Sequence, residues 1–153
     1  MIKTLLLLML FFTSLASQAQ QLTVEVTDIS NALKISVLSS DGIRTFYALK
    51  GIKPIYHNRQ VHRNSHQRLK GLIMGRTVQI EVHKDGTATV FWGGLNINLR
   101  LIREGLLLVD TQGINQLTQI QQQDFVNAQE YAIKNNRGIW LNHSKSQSRR
   151  LHY

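Results

Sequence analysis

The sequence predicts an α+β domain, mainly β with helices, and three observations carry that expectation. Apolar and polar residues alternate from Leu22 onward, two later stretches switch to helical spacing, and Asp85-Gly86 stands between two alternating runs. A period of two marks half-buried strands, a period near 3.6 marks amphipathic helices, and Asp-Gly favours the tight turn of a hairpin. A chain of 153 residues is long enough for one domain with an ordinary hydrophobic core.

The elements follow in order. Met1-Ile2-Lys3-Thr4 puts one positive charge before an apolar run from Leu5 to Leu15, and Ser17-Gln18-Ala19 supplies small residues two apart. This is the layout of a secretory signal peptide, residues 1–19, cleaved after Ala19. The apolar run is shorter than the roughly 20 residues that span a bilayer. The expected mature protein is therefore exported, periplasmic or secreted, with no stable membrane span. Leu22, Val24 and Val26, then Leu33, Ile35 and Val37, then Ile43 to Leu49 beyond a Ser39-Ser40-Asp41-Gly42 turn read as a three-stranded meander.

Between residues 60 and 74 the period of two is lost. Val61, Leu69, Leu72 and Ile73 fit one face of a helix whose other face carries Arg63, His66, Arg68 and Lys70, with Gly75 to end it. Val78, Ile80 and Val82 alternate up to the Lys84-Asp85-Gly86 turn, and Thr87 to Trp92 runs back before Gly93-Gly94. Residues 97–106 read as a short helix and residues 117–136 as a longer one, and Arg137-Gly138-Ile139-Trp140 closes the domain. The last stretch, 142–153, reads as a basic polar tail. Three strands, a helix, a hairpin and two helices are compatible with a five-stranded Greek-key OB barrel carrying three helices over residues 20–141. Periodicity alone fits other α+β folds as well.

The chain has no cysteine, which excludes thiol catalysis and Cys-based zinc sites. Once Lys3 leaves with the signal peptide, 17 Lys and Arg face 9 Asp and Glu, a formal +8. From Asp41 to Glu81 no acidic residue intervenes, while Arg44, Lys50, Lys53, Arg59, Arg63, Arg68, Lys70 and Arg76 all do, with His57, His62 and His66 among them. Such a field favours a polyanionic partner: nucleic acid, anionic lipid head groups or envelope polymers. A solvated basic face that keeps the protein soluble is the plainer reading of the same charge. His62 and His66 have a spacing that can place two imidazoles on one metal, but no acidic third ligand lies in the interval, so no metal is expected. Phe46, Tyr47, Phe91 and Trp92 lie on strands, where alternation should bury one member of each pair and leave the other for base stacking.

Ile97-Asn98-Leu99-Arg100-Leu101-Ile102-Arg103-Glu104-Gly105-Leu106 resembles the V-N-x-x-L-V-R-x-G-L segment of the staphylococcal nuclease (thermonuclease) family. Ala128-Gln129-Glu130-Tyr131-Ala132 with Gly138-Ile139-Trp140 resembles its A-x-x-x-A helix and closing G-[IL]-W, and Lys50-Gly51-Ile52 with Pro54 its R-L-x-G-I-D-x-P-E loop. The resemblance runs from about residue 22 to 141 and implies an SNase-like OB fold.

It also implies a lost chemistry. In the family, two aspartates hold calcium, a glutamate activates water and two arginines stabilise the phosphorane-like transition state, because a hard cation wants carboxylate oxygens and a developing anion wants fixed donors. The corresponding positions here are Asn31 and Lys53 for the aspartates, Ile55 for the glutamate, Ala48 (or Tyr47, one residue earlier) for the first arginine and Thr87 for the second. Asp28 lies near the first aspartate position, yet no one-residue slip restores more than one of the five. The calcium cofactor is thus expected to be absent and the protein to be a pseudoenzyme.

The leading expectation is an exported, catalytically inactive module that binds nucleic acid or another polyanion through Arg44, Lys50, Lys53, Arg59, Arg63, Arg68 and Lys70. Two alternatives accompany it. One is an active nuclease with a relocated, non-calcium site built on the histidines; the other is an envelope or secretion-system module with a protein partner.

Overall fold

The computed structural model describes residues 20–31 and 33–141; the signal peptide and basic tail read from the sequence lie outside the described residues. The chain is α+β, and its elements in order are β1 (Gln20–Ile29), β2 (Lys34–Leu38), β3 (Arg44–Leu49), β4 (Ile52–Lys53), α1 (Arg59–Ile73), β5 (Thr77–Val82), β6 (Thr87–Trp92), β7 (Leu95–Asn96), α2 (Ile97–Arg103), β8 (Leu108–Val109) and α3 (Gln119–Lys134), followed by a 3-10 turn, Gly138–Trp140.

The meander and the hairpin form as the alternation predicts. β1 pairs antiparallel with β2, and β2 with β3. β5 and β6 pair antiparallel around the Lys84-Asp85-Gly86 turn. The long β1 serves two neighbours: residues Gln20 to Glu25 pair with β5, and Glu25 to Ile29 pair with β2. A register shift between Val26 and Asp28 marks the handover; an extra residue there bends a strand and increases its twist. One further contact is non-local. Ala48 and Leu49 of β3 pair in parallel with Thr87 and Ala88 of β6, so the pairings β3-β2-β1-β5-β6 return to β3.

Inside this ring sit Val24, Val26, Ile35, Val37, Val78, Ile80, Ala88 and Val90, with Leu69, Leu72 and Ile73 of α1 and Ile97, Leu101 and Ile102 of α2 packed into the same core. Asn98 is buried among them. Its Oδ1 accepts from Val90 N at 3.1 Å, and its Nδ2 donates to Lys50 O at 2.9 Å and to Ala88 O at 3.1 Å. One side chain thereby ties the end of β3 to β6, satisfying three backbone groups that burial would otherwise leave unpaired.

The helices differ from expectation in their ends. α1 stops at Ile73 just before Gly75, as read from the sequence. The helix expected over 97–106 ends at Arg103, because Gly105 takes φ +70° and turns the chain back. The last helix begins two residues late, at Gln119, behind a Thr118 capping box whose partner is Gln121. α1 buries Leu69, Leu72 and Ile73 as the spacing predicts, with one departure among the residues expected on its opposite face. His66, expected on the solvated face, turns inward with its Nε2 3.0 Å from Ile29 O.

Candidate polyanion interface

None of the five positions that would carry catalysis in the resembled family holds a carboxylate or an arginine. Asn31 is exposed in the turn between β1 and β2, Lys53 is exposed on β4, and Ile55 is buried in the core. Ala48 pairs with Lys34 of β2 on one side and Thr87 of β6 on the other, so the register places two of the five positions directly together. No group of three or more His, Cys, Asp or Glu side chains able to hold a metal occurs among the described residues.

What occupies this region is an ion pair. Lys50, expected on the basic surface, is instead 0% exposed, and its Nζ lies 2.5 Å from Asp85 Oδ2. Lys50 is buried because it is next in the chain after the end of β3, whose pairing with β6 carries it to the hairpin turn where Asp85 stands. A buried ammonium requires such a partner. Partial burial raises the Asp85 pKa, but the Lys50 hydrogen bond and those from Thr87 outweigh it and bring the carboxyl down to about 2. Thr87 thus supports an acceptor, where the resembled family has a phosphate-binding arginine. In the sequence Asp85 reads as a turn residue only, and nothing near it points to a partner 35 residues away.

The remaining cations divide into bound and free. Arg68 is held by Glu104, with Nε to Oε2 and Nη2 to Oε1 both at 2.7 Å. Arg76, half-buried, places its guanidinium carbon 4.1 Å from the Trp92 ring centroid. Arg44, Lys53, Arg59, Arg63 and Lys70 are exposed and make no ion pair among the described residues. At 3.6 residues per turn, Arg59, Arg63 and Lys70 fall within about 40° of one another on α1 and form one stripe. The same projection puts His66 about 20° from buried Ile73 and equally about 20° from exposed Arg59, so it stands at the edge of the apolar face, where spacing does not decide its burial. His62 is half-buried, its ring centroid 5.0 Å from that of Tyr56 and its Nδ1 buried without a hydrogen-bond partner. Neither imidazole stands free on a solvated face.

Of the strand aromatics, Phe46 is 65% exposed while Tyr47 packs against the core, as alternation requires. Phe91 and Trp92 depart from it, both being half-buried. Arg44, Phe46 and Ala48 project from one face of β3, with Lys34 beside Ala48 on the neighbouring strand. The result is an aromatic ring between cations on an open strand face. No protein-family model and no curated protein matches the chain.

Proposed function

We propose that this chain is an exported SNase-like OB-barrel module that binds nucleic acid or another polyanion without hydrolysing it. Five strands paired in a ring, with a helix between the third and fourth, suit a Greek-key OB barrel, whose second and third strands commonly carry the oligonucleotide face. The observation that carries the reading is the set of five exposed cations, Arg44, Lys53, Arg59, Arg63 and Lys70, without an ion pair among the described residues and in an interval without a carboxylate. Phe46 on the same strand as Arg44 adds a stacking surface, and such stacking is worth about 1–3 kcal/mol per base. The relocated-nuclease alternative loses its support in the histidines, because His66 is engaged by the Ile29 carbonyl and His62 lies against Tyr56.

The test is binding of single-stranded DNA and RNA by residues 20–153 over a salt series, with hydrolysis followed in the presence and absence of calcium. Binding without cleavage, falling steeply with salt, is the expected result. Changing Arg59, Arg63 and Lys70 together to Gln should lower the slope of log K against log salt by about 2, since each lost phosphate contact on a single strand removes roughly 0.7. Calcium-dependent cleavage would overturn the reading.

A further inference from the structure

A second concentration of cations lies among the helices, largely outside the acid-free interval. Arg68 of α1, Arg100 and Arg103 of α2, and Arg137 just after α3 line one hollow of about 920 Å³ together with Tyr131 and Glu104. Glu104 accepts both hydrogen bonds from Arg68 and one from Arg100 Nε at 3.1 Å. Each guanidinium offers five donors and no acceptor, so this carboxylate occupies three of the ten that Arg68 and Arg100 present. The Arg103 guanidinium carbon stands 3.9 Å from the Tyr131 ring centroid. Hydrogen bonding and charge from Arg103, with the charge of Arg137, hold the Tyr131 phenol below its ordinary pKa.

The cluster is built by the backbone. Asn136 takes φ +50° and turns the chain after α3, and Ile139 N then donates to Gly105 O at 3.1 Å. At this crossing a Cβ on Gly105 would lie 2.2 Å from Arg137 O, and one on Gly138 would lie 2.1 Å from Gly105 O. Only two glycines allow the strands of chain to approach so closely, and their contact holds Arg137 beside the end of α2. Four cations against one carboxylate leave a surplus. The C-termini of α2 and α3, each equivalent to roughly −0.5 charge, reduce that surplus to about +2.

A second hollow of about 700 Å³ adjoins the first, sharing Arg100, Arg103 and Tyr131, and is lined on its other side by Leu95, Leu99 and Ala128. Leu95 is 50% exposed. Asp124, one helical turn before Ala128, stands in this second hollow and repels an anion there. The pair of hollows is therefore polarised, cationic at the Arg137 end and apolar at the Leu95 end. A carboxylate ligand would bring one charge and two oxygens; a phosphomonoester brings up to two charges and three oxygens, which suits the surplus and the unused guanidinium donors.

We propose that the two joined hollows bind an amphiphilic phosphate ester, its phosphate among Arg100, Arg103 and Arg137 and its apolar part over Leu95, Leu99 and Ala128. The site is separate from the α1 stripe and stands whether or not the protein binds nucleic acid.

The probes are inorganic phosphate, dihexanoyl phosphatidic acid kept below its micelle concentration, and neutral vesicles with and without phosphatidic acid. Calorimetric titration should show the soluble amphiphile binding more tightly than inorganic phosphate. Arg137→Glu, an exposed change that leaves the glycine crossing intact, should weaken both by about tenfold or more, as expected when a charge-assisted contact becomes a repulsive one. Leu95→Asn should weaken the amphiphile alone. The triple Gln variant of the α1 stripe should leave both unchanged while reducing nucleic-acid binding, so the two proposals fail separately. Vesicle capture that Arg137→Glu abolishes would identify a bilayer headgroup as the source, and titration of the soluble amphiphile without vesicle capture would identify a free ligand. Absence of binding by all probes, or binding indifferent to Arg137→Glu, overturns the proposal, and equal affinity for phosphate and amphiphile overturns its apolar half.

Discussion

Lys50–Asp85 and Arg68–Glu104–Arg100 are both cation–carboxylate centres, yet they do opposite work. The first is dry on its cationic side and balanced one to one: Lys50 has no exposed surface, and among the described residues Asp85 is its single acidic partner. The second is half-exposed, with two guanidinia on one carboxylate and two more arginines alongside. A balanced, buried pair has nothing left to offer a ligand, and losing either partner strands a charge. An unbalanced, solvated cluster can lose a member cheaply and retains attraction for an anion. Counting cations in the sequence would have ranked Lys50 with Arg59; burial separates them.

The strongest test of that contrast is Asp85→Asn, which leaves the Lys50 ammonium buried without its counter-charge and should destabilise the fold by about 3–5 kcal/mol in urea unfolding. Lys50→Met should cost less, because it removes the buried ammonium and strands only Asp85, whose side chain is 28% exposed and can take water instead. If the two changes cost the same, the ammonium is not desolvated as described. At the second centre, Glu104→Gln should cost only about 1 kcal/mol and should tighten inorganic phosphate binding by freeing Arg68 and Arg100. Smallest of all, Arg63→Gln on the open stripe should change stability by less than about 0.5 kcal/mol while weakening polyanion binding.

Acid separates the two centres along another axis. Asp85 titrates at about 2 in the fold against an ordinary 3.8, so it is the more acidic in the native state. Its contribution is complete above about pH 4 and disappears as the pH falls toward 2. Glu104 has also been lowered: burial works against it, but the hydrogen bonds from Arg68 and Arg100 prevail. Its contribution therefore disappears in the same direction, beginning below its ordinary 4.5. Urea midpoints measured from neutral pH downward should fall through this window, and Asp85→Asn should flatten the lower part of the decline.

Local signals were readable from residues alone. The Asp85-Gly86 turn, the alternation of β1 to β3, Gly75 after α1 and the amphipathic α3 all depend on neighbours a few positions apart. The two-residue strands Ile52–Lys53 and Leu108–Val109 carry no period, and their pairing joins residues more than fifty apart. The β3–β6 contact is likewise non-local, and with it the fate of Lys50. Arg137 was read only as part of a closing segment, since nothing in its neighbourhood tells that two glycines bring it to α2. Ala48 and Thr87 do come together, because strand register fixes both.

The crossing of Gly105 and Gly138 also orders events during synthesis. A chain emerging from its N-terminus has all five strands of the ring once Trp92 is out, and Asn98, which ties β3 to β6, follows six residues later. The backbone bond from Ile139 to Gly105 must wait for about forty residues beyond Asn98. A nonsense codon before Arg137 would remove both that bond and the arginine it brings to the end of α2, and the cleft between them would not form.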